Sequence, residues 1–102
     1  MREKIFRELQ QGFITLHILH HAAKEPIFGQ EFKEELARHG YDVSFGTLYP
    51  LFHRLEESGL LSREERNEGG RVRKYYRATE AGAETLEAAK SLALELVEEL
   101  NE

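Results

Sequence analysis

The sequence predicts a mostly α fold with one small β-hairpin, arranged as a winged helix-turn-helix followed by a C-terminal dimerisation helix. Three observations predict it. Apolar residues recur at helical spacing in four segments. The second and third of these are joined by only a short glycine turn, the helix-turn-helix pattern. The third and fourth are separated by two strand-like runs, LLSREER and RVRKYYR, that flank a Gly-Gly turn. With 102 residues the chain is read as a winged helix-turn-helix over 1–78, its wing at about 61–77, and a dimerisation helix over 79–102.

The first helix is expected from about residue 3 to residue 24, ended by Pro26. It carries two apolar stripes. Leu9, Phe13, Leu16 and Ala23 lie along one, and Ile14 and Ile18 lie nearly opposite. A surface helix needs only one apolar stripe, so the second, Ile14 and Ile18, is assigned to a partner subunit. The second helix, about 28–38, places Phe28, Phe32 and Leu36 four residues apart and ends at Gly40, a C-terminal cap residue. The third starts from Ser44 or Thr47, buries Phe45, Leu48, Leu51, Phe52 and Leu55, and closes at Gly59. Thr79 caps the last helix, in which Gly82, Leu86, Ala89, Ala93, Leu96 and Leu100 keep the alternating four-three spacing of a helix seam. Leu86, Ala89, Leu92, Ala93, Leu96 and Leu100 therefore join Ile14 and Ile18 as the expected dimer interface.

The third helix contains Pro50 and shows no acid before Glu56. Proline lacks an N–H and clashes with the carbonyl four residues back. A cap at Thr47 would make this harmless, whereas a cap at Ser44 costs one intrahelical bond. Either start leaves free N–H groups and a positive dipole end, which suit a phosphate. Gly46, Pro50, His53 and Glu57 point away from the core, flanked by Thr47 and Arg54 on one side and Tyr49 on the other. Hydroxyls and imidazoles can meet base edges and phosphate oxygens, so this face is the expected contact with double-stranded DNA.

Charge distribution agrees. The net charge is −5, but residues 54–77 hold seven bases against five acids, while 78–102 hold one base against seven acids. On the second strand Arg71, Arg73, Tyr75 and Arg77 share one face, and guanidinium groups fit phosphate geometry. Glu64, Glu65 and Glu68 on the facing strand and turn interrupt that basic surface.

GTLYPLFHRLEESGLL followed by GGRVRKYYRATEAG resembles the PadR family of bacterial transcription regulators, with PIFGQEFKEEL matching the family's P-x-x-G-Y-E-L segment except for Gln30 in place of Tyr. The resemblance spans essentially the whole chain. It implies a homodimeric winged helix-turn-helix that represses from a palindromic operator, with Ser44, Thr47, Tyr49 and Pro50 on the recognition helix and Arg71, Arg73 and Lys74 on the wing. A single C-terminal helix is similar to the short subfamily, whose members pair through their first and last helices. The subunit seam, lined by Phe13, Ile14, His17, Leu92 and Leu96, is the expected place for a small aromatic or hydrophobic effector. Some relatives bind flat drugs between tryptophans. This chain has no Trp, which points to an aliphatic or small phenolic compound instead.

Other functions fit less well. No nucleophile elbow, P-loop or dinucleotide loop is present, so the chain is not read as an enzyme. A protein-interaction module would show aliphatic residues beside Gly46, Pro50 and His53, and none is there. His17 and His21 stand one turn apart within an HxxHH run and could chelate a metal if Glu25 supplied a third ligand, which keeps a metal- or pH-sensing regulator as an alternative. The plainer reading is a pair of partly buried histidines near the subunit interface, and neither metal nor cofactor is assigned. The absence of cysteine, of a signal peptide and of an apolar stretch of bilayer length predicts a cytoplasmic protein with no membrane contact.

Overall fold

The computed structural model describes residues 1–102 and has the expected element order. The elements are α1 (Arg2–Lys24), α2 (Gly29–Arg38), α3 (Phe45–Glu57), β1 (Leu61–Glu68), β2 (Arg71–Ala78) and α4 (Glu80–Leu100). The two strands pair antiparallel from Leu61 with Ala78 to Glu68 with Arg71. Gly69 and Gly70 both have positive φ, as a two-residue type I′ hairpin turn requires. Ile27 adds a one-residue third strand: its N–H donates to the Tyr76 carbonyl at 2.9 Å and its carbonyl accepts from the Tyr76 N–H at 2.8 Å.

Local chemistry explains the helix ends. After α2, the Gly40 N–H donates to Ala37 and the Tyr41 N–H to Leu36, with Gly40 at φ 91°. After α3, the Gly59 N–H donates to Glu56 and the Leu60 N–H to Leu55, with Gly59 at φ 78°. Both are Schellman closures, in which glycine takes the left-handed position. Ser44, not Thr47, is the N-cap residue of α3, so Pro50 lies inside the helix and leaves the Gly46 carbonyl without its usual donor. Gly46 is exposed, and water can satisfy that carbonyl.

One apolar core joins α1, α2, α3 and the base of the wing. At its centre the Tyr76 ring stacks on Phe52 with centroids 4.6 Å apart. Ile14 and Ile18 belong to this core, at 4% and 0% exposure, and not to a partner surface. This corrects the expectation that the Ile14 and Ile18 stripe meets a partner subunit. Ile14, Ile18 and Ala22 face inward, while Ile5, Phe6, Leu9 and Phe13 face out. Both stripes are apolar, and periodicity cannot say which one meets the chain's own core. Two aromatics also depart from expectation. Phe45 begins α3 at the rim of the core and stacks on Tyr49, and Phe28 precedes α2 and packs on Tyr75.

The first turns of α4 are docked on the winged helix. Thr79 Oγ1 accepts from the Gly82 N–H at 3.0 Å and donates to the Gly59 carbonyl at 2.6 Å, while the Thr79 N–H donates to the Leu60 carbonyl. Gly82 is buried, and a Cβ there would overlap the Leu60 carbonyl oxygen. Leu86 packs against the chain's own core, so it is only partly available to a partner. Beyond it α4 leaves the body, and Leu92, Leu94, Leu96, Val97 and Leu100 are exposed.

Gly82→Ala tests this junction. In an unhindered helix the change would gain up to about 1 kcal/mol. Here the methyl meets backbone that cannot rotate away, and overpacking costs about 1–3 kcal/mol. The expected result is net destabilisation of up to about 2 kcal/mol, a thermal midpoint lower by several °C. An unchanged or raised midpoint by circular dichroism would show that α4 is not seated on Leu60.

Candidate nucleic-acid interface

Helix α3 and strand β2 of the wing line one concave surface. Tyr49 and His53 of α3 face Arg71, Arg73 and Lys74 of β2 across a groove whose floor is Phe28, Gly29 and Gln30 at the start of α2. Around the other side of α3, Gly46, Thr47, Pro50, His53 and Arg54 line a second depression with Gln11 of α1, and Glu57 stands at its far end. His53 belongs to both, so the exposed ridge of α3 is continuous from Gly46 to Arg54. At the N-terminal end of α3, Ser44 and Thr47 share a polar hollow with Arg7, Gln10 and Lys33, and the Asp42 carboxylate also lines it. No acid stands in the first turn of α3.

The expected residues differ in freedom. Gly46, Pro50, His53 and Arg54 are exposed, and Arg54 has no acidic partner. Tyr49 is more constrained. Its ring stacks on Phe45 at 5.6 Å, and its phenol end rests against the Gly29 Cα, where any Cβ would collide with it. It therefore spaces α2 from α3 as well as facing the groove. The Ser44 hydroxyl lies 3.4 Å from Thr47 Oγ1 and makes no backbone cap, so both hydroxyls stay at the surface.

The wing is less basic than its second strand alone. Register places Arg66 beside Arg73 and Glu68 beside Arg71. Arg66 pairs with Glu64 at 3.2 Å, which raises the guanidinium's affinity for its proton, and lies 4.3 Å over the Tyr75 ring. Arg73 pairs with Glu68 at 3.5 Å and lies 4.8 Å over Phe28. The Tyr75 hydroxyl donates to Glu68 at 2.8 Å. These contacts stiffen the hairpin and occupy Arg73. Arg71, Lys74 and Arg77 carry no ion pair and remain available to an anion.

The sequence reading missed Gln30, Gln11, Arg7 and Lys33, which reach this surface from α1 and α2. Only Gln30 had a local signal, since it replaces a Tyr in the matched PIFGQEF segment. The others arrive through the packing of helices far apart in sequence.

Away from this surface, four side chains converge. His17 and His21 of α1 meet His39 at the end of α2, with one ring nitrogen from each lying within 4.8 Å of the others. Glu35 Oε2 lies 2.9 Å from His39 Nε2 and 3.7 Å from His21 Nε2. Burial, followed by the neighbouring imidazoles of His39, His21 and His20, holds His17 below the ordinary histidine range. Arg38 and then His39 hydrogen-bond Glu35 and hold its carboxyl below the usual range. Phe13 and His17 also line a groove between α1 and α4 with Leu16, His20, Tyr41, Leu86, Glu87 and Lys90. Of the other residues expected in an effector seam, Ile14 faces the core and Leu92 and Leu96 lie farther along α4.

The sequence profile described as "Transcriptional regulator PadR-like family" matches residues 18–88. Transcriptional regulator Rv3488 of Mycobacterium tuberculosis is 50% identical over 94 residues, which cover 92% of this chain and 88% of that protein. A PadR family transcriptional regulator from Eggerthella lenta superposes with a TM-score of 0.84 at 34% identity, covering 97% of this chain and 88% of that one. A PadR-like transcription factor from Bacteroides fragilis gives 0.83 at 31% identity, covering 96% of both chains. The chain belongs to the PadR-like family of transcriptional regulators: it is a DNA-binding transcription regulator and not an enzyme.

Proposed function

We propose that the protein is a homodimeric repressor that binds a palindromic operator and is released by a small hydrophobic or aromatic effector, acting on DNA in the cytoplasm. The observation that carries the DNA reading is the shared concavity of α3 and β2. An exposed, nearly acid-free helix face lies beside cations that no carboxylate holds. In this reading α3 lies in the major groove, where Thr47, Tyr49, His53 and Arg54 read base edges or phosphates. Ser44 and the first turn of α3 meet a phosphate, and Arg71 and Lys74 hold the flanking backbone.

Exposed apolar surface supports the dimer. Phe13 is 53% exposed, Leu92 73% and Leu96 50%, on two helices that together offer a long apolar face. Contiguous patches of this kind are rare on monomers. The interface proposed is the outer stripe of α1, Ile5, Phe6, Leu9 and Phe13, against Ala89, Leu92, Ala93, Leu96 and Leu100 of α4. Such a dimer would set two recognition helices one helical turn of DNA apart, about 34–36 Å. The α1–α4 groove, about 500 Å³, lies in the ligand-site range of about 300–1,000 Å³. It adjoins that seam, so an occupant would alter the spacing of the half-sites.

Arg71→Ala and Lys74→Ala should each weaken binding on every duplex and reduce the slope of log K against log salt by about 1. Thr47→Ala should instead lower preference for the operator over scrambled DNA. The duplex upstream of the protein's own coding region is a first operator probe. Equal wild-type binding to that operator and a scrambled duplex in ~150 mM salt counts against the reading.

Leu96→Glu separates dimer from monomer. In an isolated chain this exposed position should tolerate Glu within about 0.5 kcal/mol. In the dimer a desolvated carboxylate costs several kcal/mol. Light scattering at micromolar concentration should find a wild-type dimer and a folded Leu96→Glu monomer with weakened operator binding. Two species of equal mass would refute the interface.

A screen of phenolic acids and hydrophobic cations should yield a compound that raises the thermal midpoint and releases the operator. A ~100-fold loss of DNA affinity needs about 2.7 kcal/mol of coupling between the sites. Phe13→Ala should abolish the response; a response unaffected by that change would place the effector elsewhere.

A further inference from the structure

The sequence offers the HxxHH run only Glu25 as a third ligand, and the fold supplies two others from the end of α2. His17 and His21 stand one turn apart on α1, and Glu35 and His39 are spaced the same way at the end of α2. Each helix thus presents an i, i+4 pair, and packing sets the pairs against each other. We propose that His17, His21, His39 and Glu35 form a binding site for a borderline divalent transition metal, Zn2+ or its neighbours Ni2+ and Co2+, which clamps α1 to the helix-turn-helix.

The chemistry of the four groups selects the metal class. Three imidazoles and one carboxylate, with no thiolate, suit Zn2+, Ni2+ and Co2+; Ca2+ and Mg2+ take oxygen ligands. Zinc sits about 2.0–2.1 Å from imidazole nitrogen, so tetrahedral ligands stand about 3.4 Å from one another. The three imidazole nitrogens already lie within 4.8 Å of one another, and the remaining closure is within reach of side-chain rotation. Glu35 offers Oε2 toward the histidines, while its Oε1 is held by Arg38. An outer partner of that kind orients a ligating carboxylate. Tyr41 packs edge-on to His17 at 5.3 Å and Phe32 edge-on to His21 at 5.5 Å, which restricts both rings. Glu25, the third ligand considered from sequence, is not among the converging groups: the C-cap of α1 extends there, and His39 takes the place instead.

Position gives such a site a consequence. His39 directly precedes Gly40 and the turn into α3, whereas His17 shares α1 with the outward Phe13 stripe. A metal would therefore tie the recognition unit to the helix proposed to meet the partner.

The test uses tag-free, chelator-treated protein titrated with Zn2+ in a calorimeter, and with Co2+ in a spectrophotometer. The expected result is one Zn2+ per chain, a higher thermal midpoint, and visible Co2+ absorption of four-coordinate character that Zn2+ abolishes. His39→Ala should weaken Zn2+ binding by more than the ~10–100-fold typical of losing an outer-shell partner. His39 is exposed, so circular dichroism should show that variant folded. His17→Ala should weaken binding similarly, and His20→Ala, at a neighbouring histidine outside the site, should leave it unchanged. A stoichiometry well below one overturns the proposal. So does His39→Ala protein that binds Zn2+ like the wild type, since any metal would then sit on α1 alone. Binding lost only in His20→Ala would do the same.

Discussion

Tyr76 sits where the wing, α3 and the segment before α2 meet, and the geometry of the surface shared by α3 and β2 depends on it. Its backbone pairs with Arg63 on one side and exchanges both hydrogen bonds with Ile27 on the other. Its ring is fully buried and stacked on Phe52 of α3. An aromatic pair of this kind adds about 0.5–1.5 kcal/mol beyond the area it buries. More important here is direction: a strand, a loop and a helix are oriented by one rigid ring. The phenolic oxygen finds no protein partner, and burial raises the hydroxyl's pKa. Placing Tyr rather than Phe at this point carries a desolvation cost that the packing must offset.

From that centre, charge is distributed with little waste. The protein is acidic overall, yet its acids are concentrated on α4, on the solvent side of α2 and along β1. Within the wing, Glu64 and Glu68 bind Arg66, Arg73 and Tyr75 on one face. Exposed pairs of this kind contribute little to stability individually. Their effect is to order the hairpin and leave Arg71 and Lys74 facing the groove beside α3. Net charge describes solubility and long-range steering, whereas a local surface can carry the opposite sign.

Helix α1 connects the proposed activities. Its inner face completes the core, its outer stripe is apolar and exposed, and His17 stands between the two. That histidine lines the α1–α4 groove and also belongs to the four-residue cluster with His39 and Glu35. A groove ligand and a metal would therefore share a residue, so the binding of one would be coupled to the other.

Much of this protein was determined by sequence alone because the deciding interactions are local. Gly40, Gly59 and the Gly69–Gly70 pair announce chain reversals through the positive φ that each adopts. Thr79 and Gly82 announce a capped helix start three residues apart. The order of elements and the motif running from Gly46 to Gly82 follow from such short-range signals, and with them the family. Tertiary structure decided what depends on residues distant in the chain. It chose the Ile14 and Ile18 stripe for the core over the equally apolar Leu9 and Phe13 stripe, set Phe45 at a rim, placed Ser44 as the cap around Pro50, and brought Glu35 and His39 to His17 and His21. Hydrophobic periodicity records that a face is apolar but carries no label for its neighbour. Only the packing of whole helices supplies that label.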